Sequence, residues 1–309
     1  MSGDFRSLPV PEGLSGMRVD AALSKLFGVS RTVAAEMVEA GDVLIDSRPV
    51  AKSHRVDAGV ILEATLPEPK TTPMPKAEPV DGLTILYQDD DVIAVDKPVG
   101  VAAHPTLGWE GPTVVGGLQA MGFTLPDAGP PERKGIVQRL DVGTSGVMVV
   151  ANSISGYSVL KRAFKERTVD KTYQALVQGL PDPIVGTIDA PIGRHPSSGW
   201  KFAVVDDGRP SVTHYEVIEA FRHASLLEVH LETGRTHQIR VHMSAVGHPC
   251  AGDPMYGCDP NLAKTLGLKR QWLHATKLGF THPRTGDYMV VESPYPDDLQ
   301  HALDTIRDL

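Results

Sequence analysis

The 309-residue sequence predicts an α+β protein built around a largely antiparallel mixed sheet. Segments with strand chemistry outnumber segments with helical periodicity, and the two kinds do not alternate strictly as they do in a parallel α/β fold. No Gly-x-Gly-x-x-Gly or Walker pattern opens a helix after a strand, which disfavours a nucleotide-binding α/β fold. A proline-rich stretch near residue 70 separates a small module from a larger body.

The domain organisation follows from that stretch. Residues 67–79, "PEPKTTPMPKAEP", contain five prolines and no apolar periodicity, which is typical of a semi-extended linker. We therefore expect a flexible tail over 1–16, a small module over 17–66, a linker over 67–80 and a body over 81–309.

Composition limits the class of protein. Hydrophobic residues make up 41% of the chain, but no apolar run approaches the roughly 20 residues that a membrane span needs. The first residues, "MSGDFRSLPVPEG", contain no apolar signal core. Cys250 and Cys258 are too few for a disulfide framework. We expect a cytoplasmic protein that makes no membrane contact.

The net charge of −8 argues against a nucleic-acid partner, because phosphate binding needs basic surface. The distribution of charge leaves that partner open. Residues 132–171 carry eight Lys and Arg against four Asp and Glu, so this stretch is basic on an acidic background.

The small module has the pattern of two helices followed by a short strand. Apolar residues fall at helical spacing from Val19 onward, Ser30 is placed to cap a second helix, and Gly41 is placed to end it. A strand "VLID" and a turn at Ser47 and Arg48 follow. Its basic residues are either a phosphate-binding surface or ordinary solvated charges: Arg18, Arg31, Arg48, Lys52 and Arg55.

The sequence of the body predicts many strands and few helices. Helices are expected at 153–166, at 236–246 and over Asp297–Ile306. The segments with strand chemistry are "VIAVDKP", "GVMVVA", "KTYQALVQG", "SVTHYEVIEAF", "SLLEVHLE", "LHATKLGF" and "DYMVVESP".

The stretch "GIVQRLDVGTSG", residues 135–146, is the first candidate for chemistry. Ile136 and Val137 resemble the start of a strand, and glycines permit a turn before the next strand. Residues two apart in a strand share a face, so Arg139 and Asp141 are expected on one side. The alternative is an aspartate that only caps the turn.

A second candidate is "LETGRTHQIRVHMSAVGHP". Thr236 is placed to cap a helix. His237 and His242 lie about 140° apart around that helix, so they do not converge on one metal ion, and we expect no metal. Arg240 is either an exposed helix arginine or the bidentate partner that keeps the Asp141 carboxylate ionised.

In "KTYQALVQG", Lys171 and Tyr173 share one strand face. Tyr173 is either a half-buried core aromatic or, beside a reactive aspartate, a ring that stacks on a base and a hydroxyl that handles a proton. Residues 192–215 predict a hairpin with Arg194, His195 and Lys201 near its tip.

These stretches together resemble the RluA family of pseudouridine synthases, in particular the RluD-like branch that carries an S4 RNA-binding domain. The central family motif, His-Arg-Leu-Asp-x-x-Thr-Ser-Gly, stands here as "QRLDVGTSG", with Gln138 in place of the usual histidine. "KTYQALV", "GRTHQIRVH" and "WLHATKLGF" match further motifs, and residues 17–50 resemble the S4 domain. The similarity extends from Met17 to Pro296.

The resemblance implies the pseudouridine synthase fold and isomerisation of a flipped uridine, with no cofactor. It implies Asp141, Tyr173 and Arg240 as catalytic residues, and a substrate pocket that includes Arg139, Thr144 and Leu273. It leaves open whether Asp141 bonds to the sugar or removes a proton to form a glycal. The implied RNA contacts are Arg18, Arg31, Lys52, Arg55, Arg194, His195 and Lys201.

Three functions remain open at this point. The first is modification of large-subunit ribosomal RNA, the second is the same chemistry on transfer RNA, and the third is a catalytically silent RNA-binding assembly factor. Gln138 favours the third, whereas intact Asp141, Tyr173 and Arg240 oppose it. We expect a monomer that binds RNA, most readily large-subunit rRNA.

Overall fold

The proline-rich stretch coincides with a structural division. The computed structural model describes residues 4–67 and 72–309, which form two units with their boundary between Thr71 and Thr72. Part of the expected linker, residues 68–71, lies outside the described residues. Its C-terminal end is not a free linker, because Val80 is buried in the core of the second unit.

The first unit combines two helices with a four-stranded antiparallel sheet. The helices are α1 (Val19–Phe27) and α2 (Arg31–Ala40). The Ser30 side chain accepts from Val33 N at the start of α2, and Gly41, at φ +81°, ends it, as the sequence predicts. The strands lie in the order β1-β4-β2-β3 and are β1 (Asp4–Pro9), β2 (Val43–Ile45), β3 (Arg48–Pro49) and β4 (Ile61–Leu66).

The flexible tail expected over 1–16 is wrong for its described part. Asp4–Pro9 pair with Ile61–Leu66, and Val10 is buried. Every residue of β1 is exposed, so the strand has no buried face and no apolar alternation that sequence patterning can detect. Backbone hydrogen bonding to β4 holds it in place.

The second unit contains a nine-stranded sheet in the order β5-β6-β7-β14-β8-β13-β12-β9, with β15 paired to β14. All pairings are antiparallel except that of β14 with β7, which confirms the expected mixed, largely antiparallel sheet. Its strands are β5 (Thr84–Gln88), β6 (Val92–Lys97), β7 (Ser145–Ala151), β8 (Asp170–Gln178), β9 (Val185–Asp189), β12 (Val212–Ala220), β13 (Ala224–Leu231), β14 (Leu273–Thr281) and β15 (Tyr288–Glu292).

A separate hairpin is formed by β10 (Ile192–His195) and β11 (Ser198–Val204), where the sequence predicts one. The helices of this unit are α3 (Val114–Ala120), α4 (Ile154–Glu166), α5 (Gln238–Ala245), α6 (Pro260–Thr265) and α7 (Asp297–Arg307). The sequence predicts α4, α5 and α7. It does not predict α3 and α6, which are short and show little helical periodicity of apolar residues.

Two local expectations in the candidate stretches differ from the structure. The helix expected at 236–246 begins at Gln238, because His237 adopts a left-handed conformation (φ +58°) and Thr236 makes no capping bond. Ile136 forms only an isolated bridge to Val150, and the segment from there to β7 is a loop. The argument that Arg139 and Asp141 share a strand face therefore does not apply.

No helix in the described part of the chain combines the length and the apolar character that a bilayer span requires.

Candidate active site

Asp141 lies in the loop that leads into β7, where its carbonyl accepts from Thr144 N at 3.0 Å. Its side chain is 24% exposed and opens into a small cavity of about 80 Å³. Arg139, Thr144, Tyr173 and Leu273 line the same cavity. The structure thus brings together five side chains that the sequence assigns to one site.

Arg240 joins this group from the first turn of α5. Its Nη1 lies 3.6 Å from Asp141 Oδ2, and only 5% of its side chain is exposed. This separation is within the range over which a cation favours the ionised form of a carboxyl group. Two segments about a hundred residues apart therefore meet at one charge pair.

The bidentate partner of Arg240 is Asp253, not Asp141 as the sequence suggests. Arg240 Nε donates to Asp253 Oδ2 at 2.7 Å and Nη2 donates to Oδ1 at 2.9 Å. The Asp253 side chain is fully buried and also accepts from the backbone N–H groups of Met255 and Tyr256. Burial lowers the pKa of Arg240, but its bonds to Asp253 and the charges of Asp253 and Asp141 outweigh this, so the net pKa is raised.

His237 is a further neighbour of the carboxylate. Its Nε2 lies 3.8 Å from Asp141 Oδ2, and its Nδ1 is hydrogen-bonded to the Tyr256 hydroxyl at 2.8 Å. Burial lowers the pKa of His237 despite the charge of Asp141, so the imidazole is neutral at physiological pH. His242 bonds Thr213 elsewhere, and residues 4–67 and 72–309 contain no cluster of three or more metal-ligating side chains.

Lys97, at the end of β6, is a buried lysine whose protonation is coupled to the charge of Asp141. It is completely shielded from solvent and donates to the carbonyls of Pro98 and Val101 at 3.0 and 2.8 Å. Burial lowers the pKa of Lys97 to about 7, against the opposing effect of the negative charge of Asp141. A lysine that ends an apolar strand and precedes a proline, as in "VIAVDKP", was the sequence signal for it.

Tyr173 and Leu273 are two of the apolar residues that line the cavity. Both are buried, on the neighbouring strands β8 and β14. Burial, reinforced by the charge of Asp141, raises the pKa of Tyr173 well above its usual range, so the phenol stays protonated. A protonated phenol can donate a hydrogen bond and present its ring, but it is not a base.

Three polar side chains of the segment "QRLDVGTSG" lie close to Asp141 in sequence, and two of them have hydrogen-bond partners. Arg139 donates to Thr236 Oγ1 at 2.7 Å, and Thr144 Oγ1 accepts from Gln271 Nε2 at 3.2 Å. Gln138 Nε2 is buried with no hydrogen-bond partner in the described part of the chain. The residue that departs from the family motif therefore carries an unsatisfied donor.

The basic residues expected to contact RNA in the first unit have local partners. Arg18 and Arg31 both face Asp20, at 3.1 and 3.8 Å. Lys52 pairs with Glu39 at 2.7 Å, and Arg55 donates to the Gly16 carbonyl at 2.6 Å. These contacts agree with the solvated-charge alternative as well as with a binding surface, so their role stays a prediction.

The hairpin β10–β11 places His195 at its end, as expected. The other two cations, Arg194 and Lys201, make contacts within the second unit. Arg194 donates to the Gly199 carbonyl at 3.0 Å and stacks over Phe202. Lys201 donates to the Met255 carbonyl at 3.0 Å, which connects the hairpin to the segment that holds Asp253. Trp200 is 62% exposed on this hairpin.

Comparison with known proteins defines the class of this fold and site. The family model for RNA pseudouridylate synthase matches residues 91–245, and the model for the S4 domain matches residues 17–62. The chain belongs to the RNA pseudouridylate synthase family and is an isomerase that acts on RNA.

Individual relatives cover almost the whole chain. An uncharacterized RNA pseudouridine synthase of Mycobacterium bovis is 60% identical over 98% of both chains. Ribosomal large subunit pseudouridine synthase D of Nitrosomonas europaea is 42% identical over 98% of this chain and 88% of its own. Among solved structures, human RNA pseudouridylate synthase domain containing 1 is 30% identical, with a TM-score of 0.58, over 71% of this chain and 86% of that one.

Proposed function

We propose that this enzyme converts specific uridines of large-subunit ribosomal RNA to pseudouridine and that Asp141 is the catalytic carboxylate. The observation that carries the site assignment is the pairing of Asp141 with Arg240 at a cavity that Tyr173 and Leu273 also line. The rRNA target is supported by the relatives named ribosomal large subunit pseudouridine synthase D.

The reaction is an isomerisation in which no atom is gained or lost. The bond between uracil N1 and ribose C1′ breaks, the base turns, and C5 forms the new bond to C1′. The C5 proton then leaves and N1 acquires a proton. Since oxidation state does not change overall, the proposed reaction needs no oxidant or reductant.

In this proposal Asp141 acts on the ribose as an ionised carboxylate, and Arg240 holds it in that state and position. Two routes use the same group: attack of the carboxylate on C1′, or removal of the C2′ proton to give a glycal. Both need a carboxylate near an electron-deficient sugar carbon. The Asp253 carboxylate fixes the Arg240 guanidinium, so it is a positioning residue.

Tyr173 and Leu273 hold the base in this proposal. A uridine must leave its stack before the glycosidic bond is reached, at a cost of a few kcal/mol that contacts in the pocket offset. The Tyr173 ring stacks on the uracil, and its protonated hydroxyl donates a hydrogen bond. Arg139, part of the exposed rim, occupies the space that the base leaves or holds a phosphate.

The remaining expectations belong to the same proposal. All residues assigned to the site come from one chain, so a monomer suffices for catalysis, and light scattering of the purified protein tests this. A cytoplasmic location follows from a ribosomal RNA substrate.

The experiment that tests the target is a pseudouridine map of cellular RNA with and without the gene. Loss of one or more pseudouridines from large-subunit rRNA, restored by the wild-type chain but not by Asp141→Asn, is the expected result. Loss confined to transfer RNA would replace the proposed target. An unchanged map would favour the silent RNA-binding factor.

A further inference from the structure

His237 is a half-buried neighbour of Asp141 that takes no part in the bond-making steps of the proposed reaction. It precedes α5 and lines two cavities that Asp141 also lines, one of about 80 Å³ and one of about 440 Å³. Its side chain is 16% exposed, and its Nε2 lies 3.8 Å from Asp141 Oδ2. The imidazole is therefore close enough to influence how the carboxylate is held.

The backbone of His237 has a conformation that is uncommon for a residue with a Cβ atom. Its φ is +58° and its ψ is 20°, which is the left-handed region. The other non-glycine residues with positive φ in the described ranges lie in the turn between β2 and β3 or at the end of α4, where such values are usual: Asp46, Ser47 and Arg167. His237 instead precedes a helix that its side chain does not cap. Capping does not explain this conformation, and residues of this kind are concentrated at functional sites.

The second nitrogen of the His237 ring is bound to Tyr256. The Tyr256 hydroxyl is 2.8 Å from His237 Nδ1 and accepts from the backbone N–H of Phe202 at 3.2 Å. Phe202 lies on β11, so this chain of hydrogen bonds starts at the β10–β11 hairpin. A tyrosine hydroxyl has a single proton to donate. His237 Nδ1 is the one acceptor that the hydroxyl contacts within residues 4–67 and 72–309.

These partners decide which ring nitrogen of His237 carries the proton. Burial lowers the pKa of His237 and raises the pKa of Tyr256, so both side chains are neutral at physiological pH. If Tyr256 donates to Nδ1, the imidazole proton is on Nε2, and this N–H faces Asp141. In the opposite tautomer the hydroxyl proton has no protein acceptor in the described ranges, and the Nε2 lone pair faces a carboxylate. An unmet donor and the repulsion between a lone pair and an anion both oppose that tautomer.

The His237 imidazole and the Arg240 guanidinium face the same oxygen of Asp141. Arg240 Nη1 is 3.6 Å and His237 Nε2 is 3.8 Å from Oδ2, which is the nearer oxygen for both. These separations are longer than hydrogen bonds, and catalytic contacts of this kind often shorten only when substrate is bound. Oδ1 is the oxygen that these two side chains do not hold.

We propose that His237 is a positioning residue for this reaction: its Nε2–H, fixed on that nitrogen by the Tyr256 hydroxyl, holds Oδ2 of Asp141 beside Arg240 and leaves Oδ1 to act on the ribose. The inference rests on the proposed function of Asp141. Arg240 supplies a positive charge, whereas His237 supplies a neutral donor on a second side of the carboxylate. Together they fix the orientation of the carboxylate as well as its ionisation.

Two amide variants of the full chain separate the roles of the two ring nitrogens. The side-chain N–H of glutamine reaches the Nε2 position, so His237→Gln keeps a donor to Asp141. The shorter asparagine reaches only the Nδ1 position, so His237→Asn keeps an acceptor for Tyr256 and loses that donor. Asparagine also tolerates the left-handed conformation better than glutamine does. A purely structural role therefore predicts that His237→Asn is the milder change.

We expect the opposite order in single-turnover pseudouridine formation on unmodified large-subunit rRNA. His237→Asn should be slower than the wild type by about 100-fold and His237→Gln by less than about tenfold, because a small misplacement of a catalytic group costs about the larger factor. RNA affinity should stay within a few-fold in both variants. Equal rates in the two variants, or a faster His237→Asn, would overturn the inference.

His248 provides the matched control. It is a half-buried histidine that follows α5, and its Nδ1 is hydrogen-bonded to the Gln178 carbonyl at 2.9 Å. It lines neither cavity of Asp141. His248→Gln and His248→Asn should both keep the wild-type rate, and the same pair of rates at both histidines would show that the effect is not specific to His237.

The position of the ring proton is measured independently of turnover. In protein labelled with ¹⁵N-histidine, the ¹⁵N chemical shifts show which ring nitrogen is protonated, and the signal that His237→Gln removes belongs to His237. We expect the proton on Nε2 in the wild type. Tyr256→Phe, which keeps the ring against Arg240 but has no hydroxyl, should give a mixture of the two tautomers. A proton on Nδ1 in the wild type would overturn the inference.

The two measurements distinguish the inference from the proposed function. If the wild type has its proton on Nε2 and yet forms no pseudouridine, the proposed function fails and the tautomer assignment stands. If pseudouridine forms and the two His237 variants have equal rates, the positioning role alone fails.

Discussion

Both oxygens of the buried Asp253 carboxylate hold the guanidinium of Arg240, and this leaves Nη1 of Arg240 directed at Asp141, 3.6 Å away. Arg240 is thus fixed by a residue that does not touch the cavity. A bidentate pair restricts the plane of the guanidinium as well as its position. The direction of the positive charge toward Asp141 is therefore set by the protein before any RNA binds.

Asp253→Asn should lower both stability and turnover. It leaves the Arg240 cation buried with a weakened partner, which costs about 3–5 kcal/mol of unfolding free energy. A small misplacement of a positioned group can lower the rate by about 100-fold, so turnover should fall by about that factor, while RNA affinity should stay within a few-fold. Urea unfolding and single-turnover pseudouridine formation measure the two effects.

Glu219→Gln is the matched control for that variant. Arg307 and Glu219 form the same two-bond arrangement, at 3.1 and 2.7 Å, but the pair is exposed. Its loss should cost less than about 1 kcal/mol and leave turnover unchanged. Comparable losses in both variants would mean that the buried pair has no special role.

Tyr173 allows the ring and the hydroxyl to be tested separately. Because its raised pKa keeps the phenol protonated, wild-type turnover should show no tyrosine ionisation between pH 7 and 10. Tyr173→Phe should slow turnover by about 10²-fold or more if the hydroxyl assists proton transfer, with RNA affinity retained. Tyr173→Leu should in addition weaken RNA binding by about 1–3 kcal/mol through loss of stacking.

Tyr215→Phe is the control for the hydroxyl. Tyr215 is also a buried strand tyrosine of the second unit, and its hydroxyl donates to the Pro183 carbonyl at 3.1 Å. Turnover in this variant should match the wild type. Full activity of both Tyr173 variants would remove Tyr173 from the site.

Lys97 predicts a pH dependence of stability. Its pKa falls from 10.5 to about 7 on folding, so between those values the unfolded chain binds more protons than the folded one, and stability rises with pH. Relative to Lys97→Met, the wild type should gain about 1.4 kcal/mol per pH unit above pH 7. Below pH 7 the difference should level off.

Urea unfolding followed by tryptophan fluorescence measures this difference, since Trp109, Trp200 and Trp272 all lie in the second unit. Lys277→Met is the control, because Lys277 is exposed and pairs with Glu292 on the surface. A wild-type curve parallel to that of Lys97→Met from pH 6 to 9 would show that Lys97 keeps its proton in the folded state.

Sequence patterning predicted the parts of the fold that bury an apolar face. Strands such as β7, which is buried along its whole length, and helices such as α4 were found because their apolar spacing is regular. The edge strand β1 escaped detection because it buries no side chain. A strand leading to the turn before β7 was expected because Ile136 and Val137 have strand propensity, whereas the structure has only an isolated bridge at Ile136 and a loop after it.

The site was predictable in its members but not in its geometry. Asp141, Tyr173 and Arg240 stood out through motif resemblance. The role of Asp253 did not, because a lone aspartate in "AGDPMYG" has no spacing relation to Arg240 until the chain folds. Gln138 could be recognised as a departure from the motif, but only the structure shows that its donor lacks a partner.

The most direct test of the central assignment is single-turnover pseudouridine formation by Asp141→Asn on unmodified large-subunit rRNA, with the exposed Asp90→Asn as control. We expect Asp141→Asn to lose more than about a thousandfold in rate, with RNA affinity within a few-fold of wild type, and Asp90→Asn to be unaffected. A rate for Asp141→Asn within tenfold of wild type would contradict the assignment of Asp141.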